Sequence, residues 1–178
     1  MDAKGARSKG RKWDNTVAKI LSEWYFGVPD ALQRTHGSRS IQGFEDQVGD
    51  LGVAKTGLDR PWIFGVENKH RDASGRKAGA WSLEDLVTLG HKSTIMEYWI
   101  QCVDAADKGN KIPLLVAKKN YFAPIVGIRS TDWVDCFSDS PDQNNILFNQ
   151  WIVFMTLPNF LKSDPLQWMR YWKQVYGN

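Results

Sequence analysis

The chain has 178 residues, of which 42% are apolar and 24% charged, and its formal net charge at neutral pH is +3. This length fits one domain with a sizeable core, and the composition excludes a disordered or fibrous chain. The small net charge is weak evidence for a polyanionic partner. Without an apolar leader or a run long enough to span a bilayer, we expect a protein of the cytoplasm. Cys102 and Cys136 are too few for a disulfide framework or a zinc site.

Positive charge is concentrated in two parts of the sequence. The first cluster lies at the N-terminus and contains Lys4, Arg7, Lys9, Arg11 and Lys12. The second contains Lys69, His70, Arg71, Arg76 and Lys77. Basic clusters of this kind suit a phosphate backbone. A flexible, solubilising end explains the first cluster equally well.

The N-terminal third predicts a helix followed by a strand and a long loop. We expect residues 1–10 to be mobile and residues 11–26 to form an amphipathic helix that ends at Gly27. Asp14 lies in its first turns, where a carboxylate also favours the positive end of the helix dipole. Residues 31–36 predict a short strand, and the polar loop 37–49 is long enough to act as a lid or clamp.

Residues 48–71 contain the pattern with the most chemical content. Two short β-rich runs separated by a turn at Gly57 predict a hairpin. Alternation along the second strand places Glu67 and Lys69 on one face, and Asp50 at the start of the first strand could lie beside them. Two carboxylates and an ammonium would form a site for a hard cation such as Mg²⁺, which acidifies water and stabilises charge on a phosphodiester. The triplet Glu-x-Lys is common, so a solvated strand face is the alternative.

The rest of the chain predicts alternating helices and strands. The expected helices cover 82–90, with Ser82 as its N-cap, and 93–108, a turn at 131–137, a turn at 157–161, and 164–176. The expected strands cover 112–119, 121–128 and 151–156, with a polar loop at 138–145. The aromatic residues of the terminal helix indicate either a subunit interface or a cover for the core.

Together, these motifs resemble the PD-(D/E)xK nucleases, and within that superfamily the Holliday junction resolvases of archaea and phages. The matching residues occur in the family's order, as Lys9-Gly10 with Asp14, Arg34-Thr35-His36-Gly37-Ser38, Asp50, and Glu67-Asn68-Lys69. The resemblance covers about residues 7–120 by motif and extends to about 162 by strand pattern. Asp14 departs from it, because the family usually has the longer Glu there. The loop between Ser38 and Asp50 is also longer than in compact archaeal members.

The resemblance implies a fold of the α/β (α+β) class, with a restriction-endonuclease-like mixed sheet flanked by helices. It implies one nuclease domain over residues 1–178, with 163–178 as a C-terminal helical extension. The implied activity is that of a metal-dependent endodeoxyribonuclease, a hydrolase of DNA recombination that works as a homodimer. A phage-encoded protein of this kind would act in the cytoplasm of its host.

The resemblance also assigns roles to individual residues. The implied catalytic residues are Asp14, Asp50, Glu67 and Lys69. Asp50, Glu67 and the carbonyl of Asn68 would ligate Mg²⁺, for which Mn²⁺ would substitute, and Asp14 would act through water or a second metal. The implied DNA contacts are Arg34, Ser38, Lys9, Arg11, Lys12, His70 and Arg71. From the residues alone, Ser38 equally well only shapes its turn.

Two other functions fit the same pattern. A nuclease with this core could act on other branched, flapped or linear DNA, in debranching or restriction. A protein that kept the fold but lost the metal could bind nucleic acid without cleaving it.

Overall fold

The structure is a computed structural model that describes residues 3–35, 48–71, 81–137, 146–148 and 151–177. The helices are α1 (Ala3–Phe26), α2 (Leu83–Leu89), α3 (Thr94–Lys108), α4 (Ser130–Phe137), α5 (Leu157–Phe160) and α6 (Pro165–Val175). The strands are β1 (Leu32–Arg34), β2 (Leu51–Val53), β3 (Phe64–Arg71), β4 (Ile112–Lys119), β5 (Ile125–Arg129), β6 (Ile146–Phe148) and β7 (Ile152–Thr156). None of the described helices is long and apolar enough to cross a membrane.

Five strands form one mixed sheet in the order β3-β4-β5-β7-β6. Strands β3 and β4 run parallel, and every other neighbouring pair in this sheet is antiparallel. Strands β1 and β2 form a separate antiparallel pair. Six consecutive residues of β4 are buried, as expected for a strand covered on both faces. The mixed sheet flanked by helices confirms the predicted fold class.

Each face of the sheet has its own hydrophobic cluster. On one face, Val17 and Leu21 of α1 share a cluster with Leu114 and Val116 of β4. On the other face, α3 packs against Leu115 and its neighbours. Side chains of β4 alternate between the two clusters. Because β3 pairs in register with β4, each β3 residue lies on the same face of the sheet as its β4 partner.

Helix α6 covers the core. Trp168 is fully buried in the α1-side cluster, and its indole nitrogen donates a hydrogen bond to Ser163 Oγ at 2.9 Å. Asp164 caps the helix by accepting a hydrogen bond from the Leu166 nitrogen. Of the two explanations for the aromatic residues of this helix, the structure supports the cover for the core.

Several predicted boundaries were wrong. Helix α1 begins at Ala3 rather than at residue 11, and β1 is limited to three residues. Strand β5 begins at Ile125 rather than at residue 121, because the chain first makes a turn in which Tyr121 has a φ of 66°. Strand β6 was not predicted. Most of the predicted loop 37–49 and all of the loop 138–145 lie outside the described residues.

The predicted hairpin between β2 and β3 was also wrong. Strand β2 pairs with β1 instead, and its segment meets β3 through a parallel bridge between Gly49 and Val66. The reason lies in the connection between the strands, where Trp62 is buried in the core. The centroids of the Trp62 and Tyr25 rings are 5.3 Å apart. The Tyr25 hydroxyl also donates a hydrogen bond to the Pro61 carbonyl at 3.0 Å. Packing against α1 thus draws this connection away from a tight turn.

Candidate active site

A close approach of two backbone segments brings Asp50 to the middle of β3. Gly49 has a φ of 83°, and a Cβ atom at this position would lie 2.2 Å from the Val66 carbonyl oxygen. Only glycine tolerates both the left-handed conformation and the contact. The next backbone nitrogen, that of Asp50, donates a hydrogen bond to the same carbonyl at 2.6 Å. On its other side, the Asp50 carbonyl accepts a hydrogen bond from the Thr35 nitrogen at 2.8 Å.

The Asp50 side chain is fixed by the strand it approaches. Its Oδ2 atom accepts a hydrogen bond from the backbone nitrogen of Asn68 at 2.8 Å. Asn68 lies between Glu67 and Lys69 in sequence, so this bond anchors the first carboxylate beside the second. The neighbourhood expected for Asp50 is therefore present, although it arises from a parallel bridge and not from a hairpin ladder.

Glu67 and Lys69 lie on the same face of β3 and form an ion pair. Their register partners on β4 are Leu115 and Ala117, which places the pair on the face covered by α3. The Lys69 ammonium also lies 4.9 Å from the centroid of the Tyr98 ring, within the range of a cation–π contact. Tyr98 belongs to α3 and is buried. The sequence does not indicate this role for Tyr98, because nothing in a helical apolar stripe distinguishes a residue that supports a site from one that only packs.

Asp14 extends from α1 and pairs with Arg34 of β1. Arg34 Nε donates a hydrogen bond to Asp14 Oδ2 at 2.8 Å. Helix α1 therefore presents Asp14 to the β1–β2 ladder that also carries Asp50. Glu23, on the same helix, is exposed and lies 4.0 Å from Lys19 at its nearest oxygen. The helix thus directs Asp14, and not Glu23, toward the other carboxylates.

The three carboxylates interact electrostatically. Burial raises the pKa of Glu67, and the negative charges of Asp50 and Asp14 raise it further, against the lowering effect of Lys69. Burial likewise raises the pKa of Asp14, with Asp50 adding to the rise and Arg34 opposing it. Both shifts show that the site concentrates negative charge where water only partly solvates it. A bound cation would relieve this repulsion.

The donor atoms suit a hard divalent cation. Asp14, Asp50 and Glu67 offer carboxylate oxygens, and Mg²⁺ and Mn²⁺ prefer such ligands. Among the described residues, no three His, Cys, Asp or Glu side chains stand close enough together to hold a metal on their own. This is compatible with Mg²⁺, which usually takes only one or two carboxylates and completes its shell with water and substrate oxygens.

The residues expected to contact DNA have different surroundings. His70 Nε2 lies 3.0 Å from Asn120 Oδ1, and its ring centroid lies 6.0 Å from that of Trp13. Arg11 and Lys12 are exposed on α1, whereas Arg34 is engaged by Asp14. Ser38 and His36 lie outside the described residues, as do the side chains of Lys9 and Arg71.

Two further lysines, which sequence analysis did not single out, lie at the end of β4. Lys118 Nζ is 4.9 Å from the centroid of the Trp13 ring, and Lys119 Nζ is 4.7 Å from that of Trp81. Both follow a continuous apolar run, and their position beside β3 depends on the parallel pairing of residues distant in sequence.

Comparison with known proteins identifies a family for the chain. No curated protein and no solved structure matches the chain. Residues 5–155 match the model of a family described as "Phage putative PDDEXK endonuclease". The match covers most of the chain and includes Asp14, Asp50, Glu67 and Lys69. The chain therefore belongs to the phage PDDEXK endonuclease family, a family of nucleases.

Proposed function

We propose that this protein is a Mg²⁺-dependent, structure-selective endodeoxyribonuclease that resolves four-way (Holliday) DNA junctions. The nuclease assignment is supported mainly by the position of the Asp50 carboxylate. It accepts a hydrogen bond from the Asn68 nitrogen and lies beside the ion pair of Glu67 and Lys69. The preference for junctions rests on the motif resemblance to Holliday junction resolvases. A nuclease encoded by a phage would do this work in the host cytoplasm.

In this proposal Asp50 and Glu67 hold the cation, with the backbone carbonyl of Asn68 as a further ligand and Asp14 acting through water. The bound ion would acidify water and neutralise charge on the phosphodiester. Burial, together with the negative charges of Asp50 and Asp14, raises the pKa of Glu67, and a cation bound beside these carboxylates would offset that repulsion. Mn²⁺ would replace Mg²⁺, since it accepts the same oxygen ligands.

Lys69 has the role of positioning the attacking water or stabilising the charge that develops on the phosphate oxygens. Its pairing with Glu67 and its position over the Tyr98 ring hold the ammonium at the acidic site. Hydrolysis would leave a 5′-phosphate and a 3′-hydroxyl. Asp14, oriented by Arg34, completes the acidic site from the side of α1.

Resolution of a four-way junction requires two symmetric cuts. We therefore propose a homodimer with two-fold symmetry, in which each subunit cleaves one strand. The basic residues at the N-terminus and after Glu67, among them Arg11, Lys12 and His70, would contact the phosphate backbone of the junction arms.

The test compares labelled four-way junction, flap and duplex DNA of matched sequence, with and without Mg²⁺. We expect paired nicks in the junction that require the metal, and much slower cleavage of the duplex. Glu97→Gln is a suitable control, because Glu97 is exposed on α3 and its substitution should not change the rate. Equal cleavage of all three DNAs would replace the proposal by a nuclease of broader specificity. Binding without cleavage, at any Mg²⁺ concentration, would favour the non-catalytic alternative.

A further inference from the structure

Two large aromatic side chains project into solvent from the connection between β4 and β5. Tyr121 is 100% exposed and Phe122 63% exposed. The turn is closed by a hydrogen bond from the Phe122 nitrogen to the Lys119 carbonyl at 3.3 Å. We name residues 118–122 the β4–β5 tip.

The backbone conformation of Tyr121 is unfavourable for a residue with a side chain. Its φ of 66° lies in the left-handed region, which disfavours side chains with a Cβ atom and suits glycine or asparagine. A tyrosine here gains nothing from burial, because its ring is fully exposed. Strained backbone conformations cluster at ligand-binding sites, and here the strained residue also presents an exposed aromatic ring.

The β4–β5 tip lies beyond the acidic site in the direction in which both β3 and β4 run. Glu67 is paired in register with Leu115, and Arg71 with Lys119. Four residues of strand separate these two levels, which is about 13 Å along the sheet. A DNA strand bound at the acidic site can reach this distance within a few nucleotides, because successive phosphates of one strand are about 3.4 Å apart along the axis of a duplex.

The base of the β4–β5 tip is positively charged and held in place. Trp13 lies beneath the Lys118 ammonium, and Trp81 lies beneath that of Lys119. Asn120, at the start of the turn, is 3.0 Å from His70 at the end of β3. Lys118 and Lys119 therefore place one cation on each face of β4, immediately before the turn that carries the two exposed aromatic rings.

We infer that the β4–β5 tip binds DNA bases that lack a stacked neighbour, with Tyr121 stacking on such a base and Lys119, on the same sheet face as Glu67, contacting an adjacent phosphate. Stacking on an aromatic face needs a base that is open on at least one side, whereas bases within a continuous duplex are covered by their neighbours. The tip would thus recognise the point at which paired strands separate. This inference rests on the proposed function, because it assigns part of the substrate selectivity to residues outside the acidic site.

The test measures binding of the full-length protein in EDTA, to four-way junction DNA and to matched continuous duplex. We expect Tyr121→Gly to weaken binding to the branched DNA by about 5- to 150-fold, the range for loss of one stacked base. The ratio of branched to duplex affinity should fall by the same factor. Tyr121→Trp should preserve that ratio, because it keeps an aromatic face. Because glycine suits the left-handed φ, the Tyr121→Gly variant should melt no lower than the wild type.

A second readout places 2-aminopurine at the branch point. Wild-type protein should quench its fluorescence by stacking, and Tyr121→Gly should not. Trp151→Ala serves as the matched control, because Trp151 is also 63% exposed but lies immediately before β7, away from the tip. Equal losses for branched and duplex DNA, or quenching that survives in Tyr121→Gly, would overturn the inference.

The outcome is separable from that of the proposed function. If the wild type cleaves junctions in Mg²⁺ while Tyr121→Gly keeps its full preference for branched DNA, the inference about the β4–β5 tip fails and the nuclease assignment stands. If no DNA is cleaved but the preference for branched DNA depends on Tyr121, the tip is a binding site and the nuclease assignment fails.

Discussion

Substitution of Gly49 by alanine tests how the backbone delivers Asp50 to β3. The left-handed φ of Gly49 costs an alanine about 1–2 kcal/mol. The new Cβ atom would also lie 2.2 Å from the Val66 carbonyl oxygen, and no rotamer change can relieve a contact with backbone. The two segments must separate, which breaks the 2.6 Å hydrogen bond from Asp50 to Val66, a loss of about 1 kcal/mol.

These terms predict that Gly49→Ala lowers the free energy of unfolding by about 2–3 kcal/mol. At about 2–4 °C per kcal/mol for a domain of this size, the midpoint of thermal unfolding should fall by roughly 4–12 °C. Gly57→Ala provides the matched control. Gly57 has a similar φ of 75°, but nothing lies within 4 Å of its added Cβ atom. It should show only the conformational cost.

The assay is thermal and urea unfolding of both variants, followed by single-turnover cleavage at a temperature where both are folded. Because the shift at Gly49 displaces Asp50, we expect cleavage to slow more than tenfold in Gly49→Ala and to change less than twofold in Gly57→Ala. Equal destabilisation of the two variants would refute the close approach of Gly49 to Val66 as the cause. Full activity in Gly49→Ala would refute its role in placing Asp50.

Four further predictions concern single side chains. Asp50→Asn and Glu67→Gln should abolish cleavage while binding to DNA stays the same or tightens in a gel-shift assay, because less negative charge faces the phosphates; loss of folding by circular dichroism would instead assign both a structural role. Lys69→Ala should reduce the single-turnover rate at saturating DNA with little change in affinity, and a change in affinity alone would place Lys69 in the binding surface. Asp14→Ala should greatly slow cleavage and Asp14→Glu should keep substantial activity, whereas a rate that survives Asp14→Ala but is lost in Glu23→Ala would transfer the role to Glu23. Asp132 of α4 has a pKa that burial raises above 3.8, so folding favours its protonated form, and its contribution to stability falls as pH rises from 3.8 through the raised pKa. In urea unfolding, the Asp132→Asn variant should not show this fall in stability over the same pH window. Identical pH slopes for the wild type and the variant would contradict the prediction.

The strands that could be predicted are those whose sequence alone determines their environment. Strand β4 has the predicted bounds, residues 112–119, because a long apolar run flanked by a glycine turn fits only a strand buried on both faces. Ser82 caps α2 as expected, by accepting a hydrogen bond from the Asp85 nitrogen. Local propensity and burial agree at both places.

The pairing of β2 could not be predicted, because it depends on how the connection between β2 and β3 packs against the rest of the protein. Two β-rich runs beside a glycine turn favour a hairpin, but burial of Trp62 against α1 outweighs that local preference. The grouping of Asp50 with Glu67 was expected both from the hairpin and from the motif resemblance, but a parallel bridge between Gly49 and Val66 provides it instead of a hairpin ladder. The pairing of Asp14 with Arg34 depends on the packing of α1 against β1 and leaves no pattern in the sequence.

Supporting residues of the site were missed for a related reason. Tyr98 contacts Lys69 from α3, and Asn120 contacts His70 from the turn after β4. Each is brought to β3 by tertiary packing or by parallel pairing over long sequence separations. Tyr121 was assigned to a strand, because a tyrosine beside apolar residues favours one, whereas its left-handed φ ends that pattern.

Direct measurement of metal binding tests the central claim most sharply, namely that Asp50 and Glu67 form a divalent-metal centre. Mn²⁺ is paramagnetic, so its free concentration can be followed by electron paramagnetic resonance during titration with wild-type protein, the Asp50→Asn/Glu67→Gln variant and the Glu97→Gln control. We predict saturable Mn²⁺ binding in the presence of DNA by the wild type and by Glu97→Gln, and its loss in the double variant, in parallel with the loss of cleavage. Undiminished Mn²⁺ binding by the double variant, with cleavage retained, would contradict the account.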